Sequence, residues 1–201
     1  EELAKFAEDA AKMATAFDGL SADDAGKMMA NWRTAFKMSQ DEVRALSDQI
    51  NYLSNVTASD TTTISDIVTR VGALGDVAGV SSASVLAIGT TMGSVGVGSE
   101  VAATGIKNFM LSLVAGEAAT KSLRVAYKKL GLDSEQVSKD MQKDSEKTIL
   151  KVLQGVSKLN KAEQATTLQQ LFGKESIGAI APLLTNLDNL KTNLDAVSDS
   201  T

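Results

Sequence analysis

The sequence of 201 residues contains no cysteine, no histidine and one proline, and its net charge is −5 at pH 7. Without thiols or imidazoles it can form no disulfide framework, no zinc finger and no serine–histidine catalytic triad. The acidic balance disfavours nucleic acid as the main partner, whereas a hydrophobic fraction of 43% is sufficient for a buried core.

The N-terminal part of the chain has the apolar spacing of amphipathic helices. Apolar residues at steps of three and four predict a first helix over about residues 2–17. Ser21 is the expected N-cap of a second helix, because its hydroxyl can accept from a backbone amide in the first turn. Ser39 and Glu42 have the spacing of a capping box and therefore predict the start of a third helix.

The middle of the chain is rich in glycine and contains an uncharged stretch, residues 77–99. A membrane span is one interpretation, but serine, threonine and glycine interrupt the stretch too often for ~20 continuous apolar residues. We therefore expect a buried helical hairpin over about 81–94 and 99–115, preceded by a helix over about 64–74.

Two pairs of glycines in this region have a spacing of four residues: Gly75 with Gly79, and Gly89 with Gly93. Small residues at that spacing allow two helix backbones to approach closely. A glycine inside a helix also costs about 1 kcal/mol relative to alanine. The pattern therefore predicts close helix packing of modest stability.

The C-terminal part alternates helical patterns with short turns. Pro182 fits the first turn of the last predicted helix, since proline is favoured at that position. Helices are predicted over about 118–130, 134–142, 145–158, 161–172 and 182–197. No alternation typical of strands occurs, so the sequence predicts an all-α fold, a compact multi-helix domain of short helices and helical hairpins.

We expect residues 1–201 to form a single helical domain that is a fragment of a larger protein, because both ends fall in or near helical patterns and residue 1 is not methionine. A subdivision is also expected. It comprises N-terminal helices at 1–58, a glycine-rich hairpin core at 60–132 and C-terminal helices at 133–201.

Charge is distributed unevenly along the chain. Residues 1–100 carry fourteen acids and seven bases, whereas residues 101–201 carry eleven acids and thirteen bases. The stretch 121–158 alone holds nine bases and five acids, with Tyr127 as its only aromatic residue. A nucleic-acid surface would be more uniformly basic and interleaved with aromatics. We therefore interpret this stretch as solvated helical faces, and no nucleic-acid contact is required.

Sequence motifs for chemistry are missing. There is no phosphate-binding glycine loop, no dinucleotide fingerprint and no nucleophile elbow. Glu175 followed by Ser176 resembles the catalytic acid of lytic transglycosylases, but the aromatic and glycine-rich surroundings of those enzymes are absent. The sequence therefore predicts no enzyme, with no catalytic, cofactor-binding or metal-ligating residue and no cofactor.

Three groups of segments, in the same order along almost the whole chain, resemble the core region of phage tail tape measure proteins of the TP901 type. Each segment marks where a helix begins or ends and contains no chemical motif. The resemblance therefore rests on the order of the segments along the chain. The segments are Ala16–Ala25 with Arg33–Ser39, Gly79–Ala83 with Gly96–Thr104, and Leu130–Asp133 with Leu171–Ser176.

The resemblance implies a structural role in a phage or prophage tail. A tape measure protein lies in the lumen of the tail tube, where it helps set tail length and nucleate tube assembly, after a period in the host cytoplasm. Its implied partners are the tail tube protein, tail assembly chaperones and distal tail proteins, with self-association as a further expectation. The alternative is a membrane-active helical segment that acts in genome delivery across the host envelope.

The predicted helical content allows the length that this segment could contribute to a tail to be calculated. As one continuous helix, 201 residues would span ~300 Å at a rise of about 1.5 Å per residue. The sequence instead shows short helices and turns without a sustained heptad repeat. We therefore expect a compact domain in isolation, with an extended form only in the assembled tail.

Overall fold

Helices account for 81% of the residues in a computed structural model that describes residues 2–198. Within that range the chain forms thirteen α-helices, two single-turn 3-10 helices at Gly116–Ala118 and Lys174–Ser176, and no strand. The all-α prediction is confirmed. The α-helices are α1 Glu2–Ala16, α2 Ala22–Phe36, α3 Gln40–Val56, α4 Thr61–Val71, α5 Leu74–Val77, α6 Ser82–Ser94, α7 Ser99–Leu113, α8 Lys121–Lys129, α9 Ser134–Lys143, α10 Ser145–Ser157, α11 Lys161–Phe172, α12 Ile177–Leu184 and α13 Leu187–Ser198.

Side-chain caps explain where several helices begin. The Ser21 hydroxyl accepts a hydrogen bond from the amide of Asp24 at the start of α2. At the start of α3 the amide of Ser39 donates to the Glu42 carboxylate at 2.7 Å, while the Glu42 amide donates to the Ser39 hydroxyl. The predicted capping box is therefore confirmed.

Helix α6 lies at the centre of the fold. Every residue from 84 to 92 is buried, and the helix packs against α3, α4, α7, α12 and α13. A helix that is buried on all sides needs no charged face, which explains why the sequence here is uncharged. The predicted buried hairpin is therefore confirmed as α6 and α7.

Glycines allow the central helices to approach closely. A Cβ atom at Gly89 would lie 2.8 Å from Cγ2 of Ile67 on α4, a distance that a packed core does not tolerate. Gly93 similarly faces Ser59 and the Thr63 methyl group. The predicted role of this pair is therefore confirmed.

The other predicted glycine pair is only partly a packing contact. A Cβ at Gly75 would lie 3.4 Å from Val85 of α6, but Gly79 follows α5 in a turn with a φ of +71°. Because L side chains rarely adopt that conformation, Gly79 is required by the turn rather than by helix packing. The prediction was wrong for Gly79.

The remaining helices cover α6 and its neighbours on several sides. The α1–α2 hairpin and α3 pack on one another and on α4, where the Trp32 indole N–H donates to the Thr69 hydroxyl at 2.8 Å. Helices α8 to α12 pack around α7 and one another. There the Tyr127 hydroxyl donates to the Ser112 carbonyl at 2.8 Å. The buried side chains of all these layers form one connected apolar cluster.

The C-terminal helix α13 returns to the centre and packs along α6. Its Asn193 side chain is buried and donates to the Thr91 hydroxyl of α6 at 2.9 Å. The contact joins residues 102 positions apart in sequence. It therefore ties the end of the described chain to its middle.

The prediction of one helix over 182–197 was wrong. Pro182 lies inside α12, near its C-terminal end, and the last helix begins only at Leu187. Ala179, Ile180 and Leu183 are buried, so apolar packing starts α12 before the proline. The Asn186 side chain then donates to the Pro182 carbonyl at 2.8 Å as α12 ends.

Two other predicted helices are shorter than expected. Helix α4 ends at Val71 because Gly72 adopts a φ of +54°, and Leu74 belongs to the separate short helix α5. Residues 116–118 form a 3-10 turn before α8. The proposed subdivision at 58–60 and 132–133 stays a prediction.

Candidate functional site

Glu175 and Ser176, the pair considered for catalysis, form a structural contact. Ser176 is fully buried, and its hydroxyl accepts a hydrogen bond from the Asn108 amide of α7 at 2.7 Å. The same amide nitrogen lies 3.3 Å from the Glu175 carboxylate. These contacts hold the 3-10 turn at Lys174–Ser176 against α7. The two side chains therefore have a packing role that accounts for their positions without catalysis.

The residues that the structure describes contain little other catalytic potential. No group of three or more acidic residues within 2–198 is placed to hold a metal ion. Burial raises the pKa of the Tyr127 hydroxyl, which is already bonded to a carbonyl. A phenol with a raised pKa is a weak proton donor and is not ionised near neutral pH.

The uncharged hairpin does not present a membrane-spanning element. Within residues 2–198 no helix has both the length and the apolar character that crossing a bilayer requires. Residues 84–92 of the uncharged stretch are instead buried, and the helix that holds them packs against α4, α7 and α13. The structure therefore does not favour the membrane-active alternative.

One surface is rich in unpaired lysines. On α8, the side chains of Lys121, Lys128 and Lys129 are exposed, and Val125 between them is 47% exposed. None of these three lysines forms an ion pair in the described part of the chain. We call this exposed side of α8 the lysine face.

The lysine face differs from the N-terminal helices in how its charges are used. In the first seventy residues nearly every base has an acidic partner. These pairs are Lys5 with Asp41, Lys12 with Glu8, Lys27 with Asp23, Lys37 with Asp76, Arg44 with Asp41 and Arg70 with Asp66. Within the described residues, the three lysines of α8 therefore lack the acidic partners that the N-terminal bases have, whereas Arg124 on the same helix lies 3.9 Å from Glu135.

A cleft of about 370 Å³ opens between the α1–α2 turn, α4 and the start of α7. Its apolar wall is formed by Phe17, Leu20 and Met28, and two carboxylates, Asp18 and Asp66, also line it. Glu100 stands exposed beside the lining residue Ser99, at the start of α7. We call this site the acidic cleft.

Asp66 keeps its negative charge in this cleft. Partial burial works to raise its pKa, but hydrogen bonds from Ser99 and Arg70, together with the Arg70 charge, hold the pKa below its usual value. The Arg70 Nε lies 2.9 Å from the Asp66 carboxylate. Arg70 therefore offsets the charge of Asp66, and the exposed Asp18, which forms no ion pair in the described part of the chain, is the cleft-lining carboxylate whose charge is not balanced.

Helix starts explain why acids collect at this end of the molecule. Asp24 lies in the first turn of α2, Asp60 caps α4 and Glu100 lies in the first turn of α7. Negative groups are favourable there because the helix dipole is positive at its N-terminus. Of these three acids, Glu100 directly follows the lining residue Ser99, whereas Asp24 and Asp60 do not line the cleft.

Comparison with known proteins identifies the chain. Residues 1–173 match the family model of phage-related minor tail proteins. The chain is 37% identical over 196 residues to the "Probable tape measure protein" of Halomonas phage phiHAP-1, an alignment that covers 98% of this chain and 23% of that protein. No solved structure matches the chain significantly. The chain therefore belongs to the phage-related minor tail protein family and is a fragment of a phage tail tape measure protein.

Proposed function

We propose that this segment helps set the length of the tail and nucleate assembly of the tail tube. The observation that carries the proposal is the alignment of 98% of the chain with 23% of a relative named as a probable tape measure protein. A protein that fixes a length needs a constant rise per residue and no catalytic group. Helices can meet the first need when they line up along one axis, and the structural use of Glu175 and Ser176 agrees with the second.

The folded and extended forms would contribute very different lengths. A folded domain of 201 residues is roughly 40 Å across. The same residues as continuous helix would cover ~300 Å. The segment therefore acts as a ruler only if its helices line up along the tail axis.

Several features of the fold suit such a rearrangement. The backbone hydrogen bonds of each helix lie within that helix, so separating the helices breaks side-chain contacts but preserves those bonds. The central contacts use small residues, such as Gly89 against Ile67 and Gly105 against Ala179. Large aromatic contacts are few, with Phe109 against Phe172 as one example at 4.7 Å between ring centres. Opening would still expose the connected apolar core, so contacts in the assembled tail would have to replace the burial that is lost.

In this proposal the segment lies in the lumen of the tail tube. It contacts the tail tube protein, the assembly chaperones and distal tail proteins, and it is held in the host cytoplasm until assembly. It works by length and contact and not as an enzyme.

The proposal is tested by deleting the codons for residues 2–198 in frame from the parent gene and measuring tails by electron microscopy. We expect tails shortened by as much as ~300 Å, and fewer tails if nucleation also depends on the segment. A Glu175→Gln variant is the matched control and should give tails of normal length and number. Tails of unchanged length after the deletion would overturn the proposal.

A further inference from the structure

The lysine face and the acidic cleft are complementary in charge, and each also has an apolar part. The lysine face carries an exposed apolar side chain, Val125, with Lys121, Lys128 and Lys129 around it. The acidic cleft carries an apolar wall with carboxylates at Asp18 and Asp66 and with Glu100 nearby. The lysines of the face can therefore pair with the carboxylates of the cleft, and Val125 can pack against its apolar wall.

We propose that the lysine face of one copy of this chain docks into the acidic cleft of a second copy. Val125 enters the cleft against Phe17, Leu20 and Met28, and the lysines lie over the carboxylates at its rim. The inference stands on these two surfaces alone and does not depend on the role of the segment in setting tail length.

A second copy is favoured over nucleic acid as the partner of the lysine face. The one aromatic residue near the lysines, Tyr127, is buried and cannot stack on a base. The exposed valine at the centre of the face would be left in water against a phosphate backbone, whereas a cleft with an apolar wall covers it. The lysines also have long apolar stems that can pack along such a wall while their ammonium groups reach the rim.

The contact joins two different surfaces, so it does not close on itself. After one lysine face is docked, the first copy still has a free cleft and the second copy still has a free lysine face. Such heterologous contacts extend from copy to copy unless they close into a ring. The expected product is a head-to-tail series of domains that grows with concentration and weakens with salt.

Charge reversal in two matched variants tests the contact. Lys128→Glu with Lys129→Glu makes the α8 face acidic, and Asp18→Lys with Glu100→Lys makes the cleft basic. Each double variant alone then opposes like charges and should stay monomeric. A mixture of the two restores opposite charges across each mixed contact and should associate again, within about 3-fold of the wild-type affinity.

Sedimentation velocity of the purified chain, over a range of concentrations and salt, gives the readout. For the wild type we expect a sedimentation coefficient that rises with concentration, and a dissociation constant at least ~10-fold larger in high salt than in low salt. The matched control reverses the exposed Lys151 of α10 and the exposed Lys158 that directly follows it, Lys151→Glu with Lys158→Glu, and should associate like the wild type. Circular dichroism melting verifies that each variant is folded.

A neutral variant, Lys128→Gln with Lys129→Gln, replaces the reversal variant if that variant fails to fold. It should keep helix α8 and weaken association. Three results would overturn the proposal: a wild-type chain that stays monomeric at low salt, association that the reversals do not change, or a mixture that fails to associate. A monomeric chain that binds a DNA duplex would identify nucleic acid as the partner of the lysine face instead.

Discussion

Gly89 on α6 and Ile67 on α4 are in such close contact that a Cβ atom added at Gly89 would lie 2.8 Å from the Ile67 Cγ2 atom. Ile67 is itself fully buried and its branched side chain has little freedom to move. The distance between these two central helices is therefore set by the absence of a side chain at residue 89.

The first prediction is that Gly89→Ala destabilises the fold. Overpacking in a core costs about 1–3 kcal/mol, and the gain in helix propensity offsets up to about 1 kcal/mol of that. The matched control is Gly178→Ala in α12, where nothing lies within 4 Å of an added Cβ; it should stabilise the fold by up to about 1 kcal/mol. Urea unfolding of both variants gives the free energies, and equal effects would contradict the packing argument.

The second prediction concerns the buried hydrogen bond between Asn193 of α13 and Thr91 of α6. Asn193→Ala should lower the free energy of unfolding by about 1–3 kcal/mol, since it leaves a buried hydroxyl without its donor. Asn189→Ala removes an exposed amide from the same helix and should change stability by less than about 0.5 kcal/mol. Thermal or urea unfolding compares the two variants. An Asn193→Ala variant that is as stable as the wild type would show that this hydrogen bond does not hold α13 on α6.

The third prediction is a pH dependence at the start of α3. Hydrogen bonds from the Ser39 amide and hydroxyl hold the pKa of Glu42 below 4.5, its ordinary value. A folded-state pKa below the unfolded value means that the stabilisation is present above pH 4.5 and is lost as the pH falls through the folded value.

Glu42→Gln keeps a hydrogen-bond acceptor at this position but cannot titrate. The wild type should therefore be more stable than Glu42→Gln at neutral pH, and this difference should shrink as the solution is acidified below pH 4.5. Urea unfolding at a series of pH values measures it. A difference that grows on acidification would have the wrong sign for this account.

The fourth prediction separates packing from catalysis at Glu175. Asn108→Ala removes the donor to the buried Ser176 hydroxyl and should cost about 1–2 kcal/mol. Glu175→Gln should change stability by less than about 0.5 kcal/mol. In addition, the wild-type chain should not clear a peptidoglycan suspension; clearing that Glu175→Gln abolishes would restore the enzymatic interpretation.

Local signals in the sequence were sufficient for much of the fold. The capping box at Ser39 and Glu42 depends only on neighbours three residues apart, so it could be predicted and is present. The uncharged residues of α6 correctly indicated a buried helix, because an exposed helix needs a polar face. Pro182 misled the prediction because the apolar residues before it pack against other helices and extend α12 toward the N-terminus.

The two proposed docking surfaces show the limit of sequence reasoning. The excess of lysine between residues 121 and 158 was visible in the sequence, and the helical spacing of Lys121, Val125 and Lys129 places them on one side of α8. The acidic cleft was not predicted, because Asp18, Asp66 and Glu100 come from three separate segments. Only the tertiary packing of the α1–α2 turn, α4 and the start of α7 places Asp18 and Asp66 in one cleft beside Glu100.

The role of this segment in setting tail length is tested by duplicating residues 2–198 in frame within the parent gene and measuring tail length by electron microscopy. We expect tails that are longer by about 300 Å, the contribution of an extended helical segment. A gain of only about 40 Å would mean that the domain stays folded inside the tail. Tails of unchanged length would contradict the claim that this segment helps to set tail length.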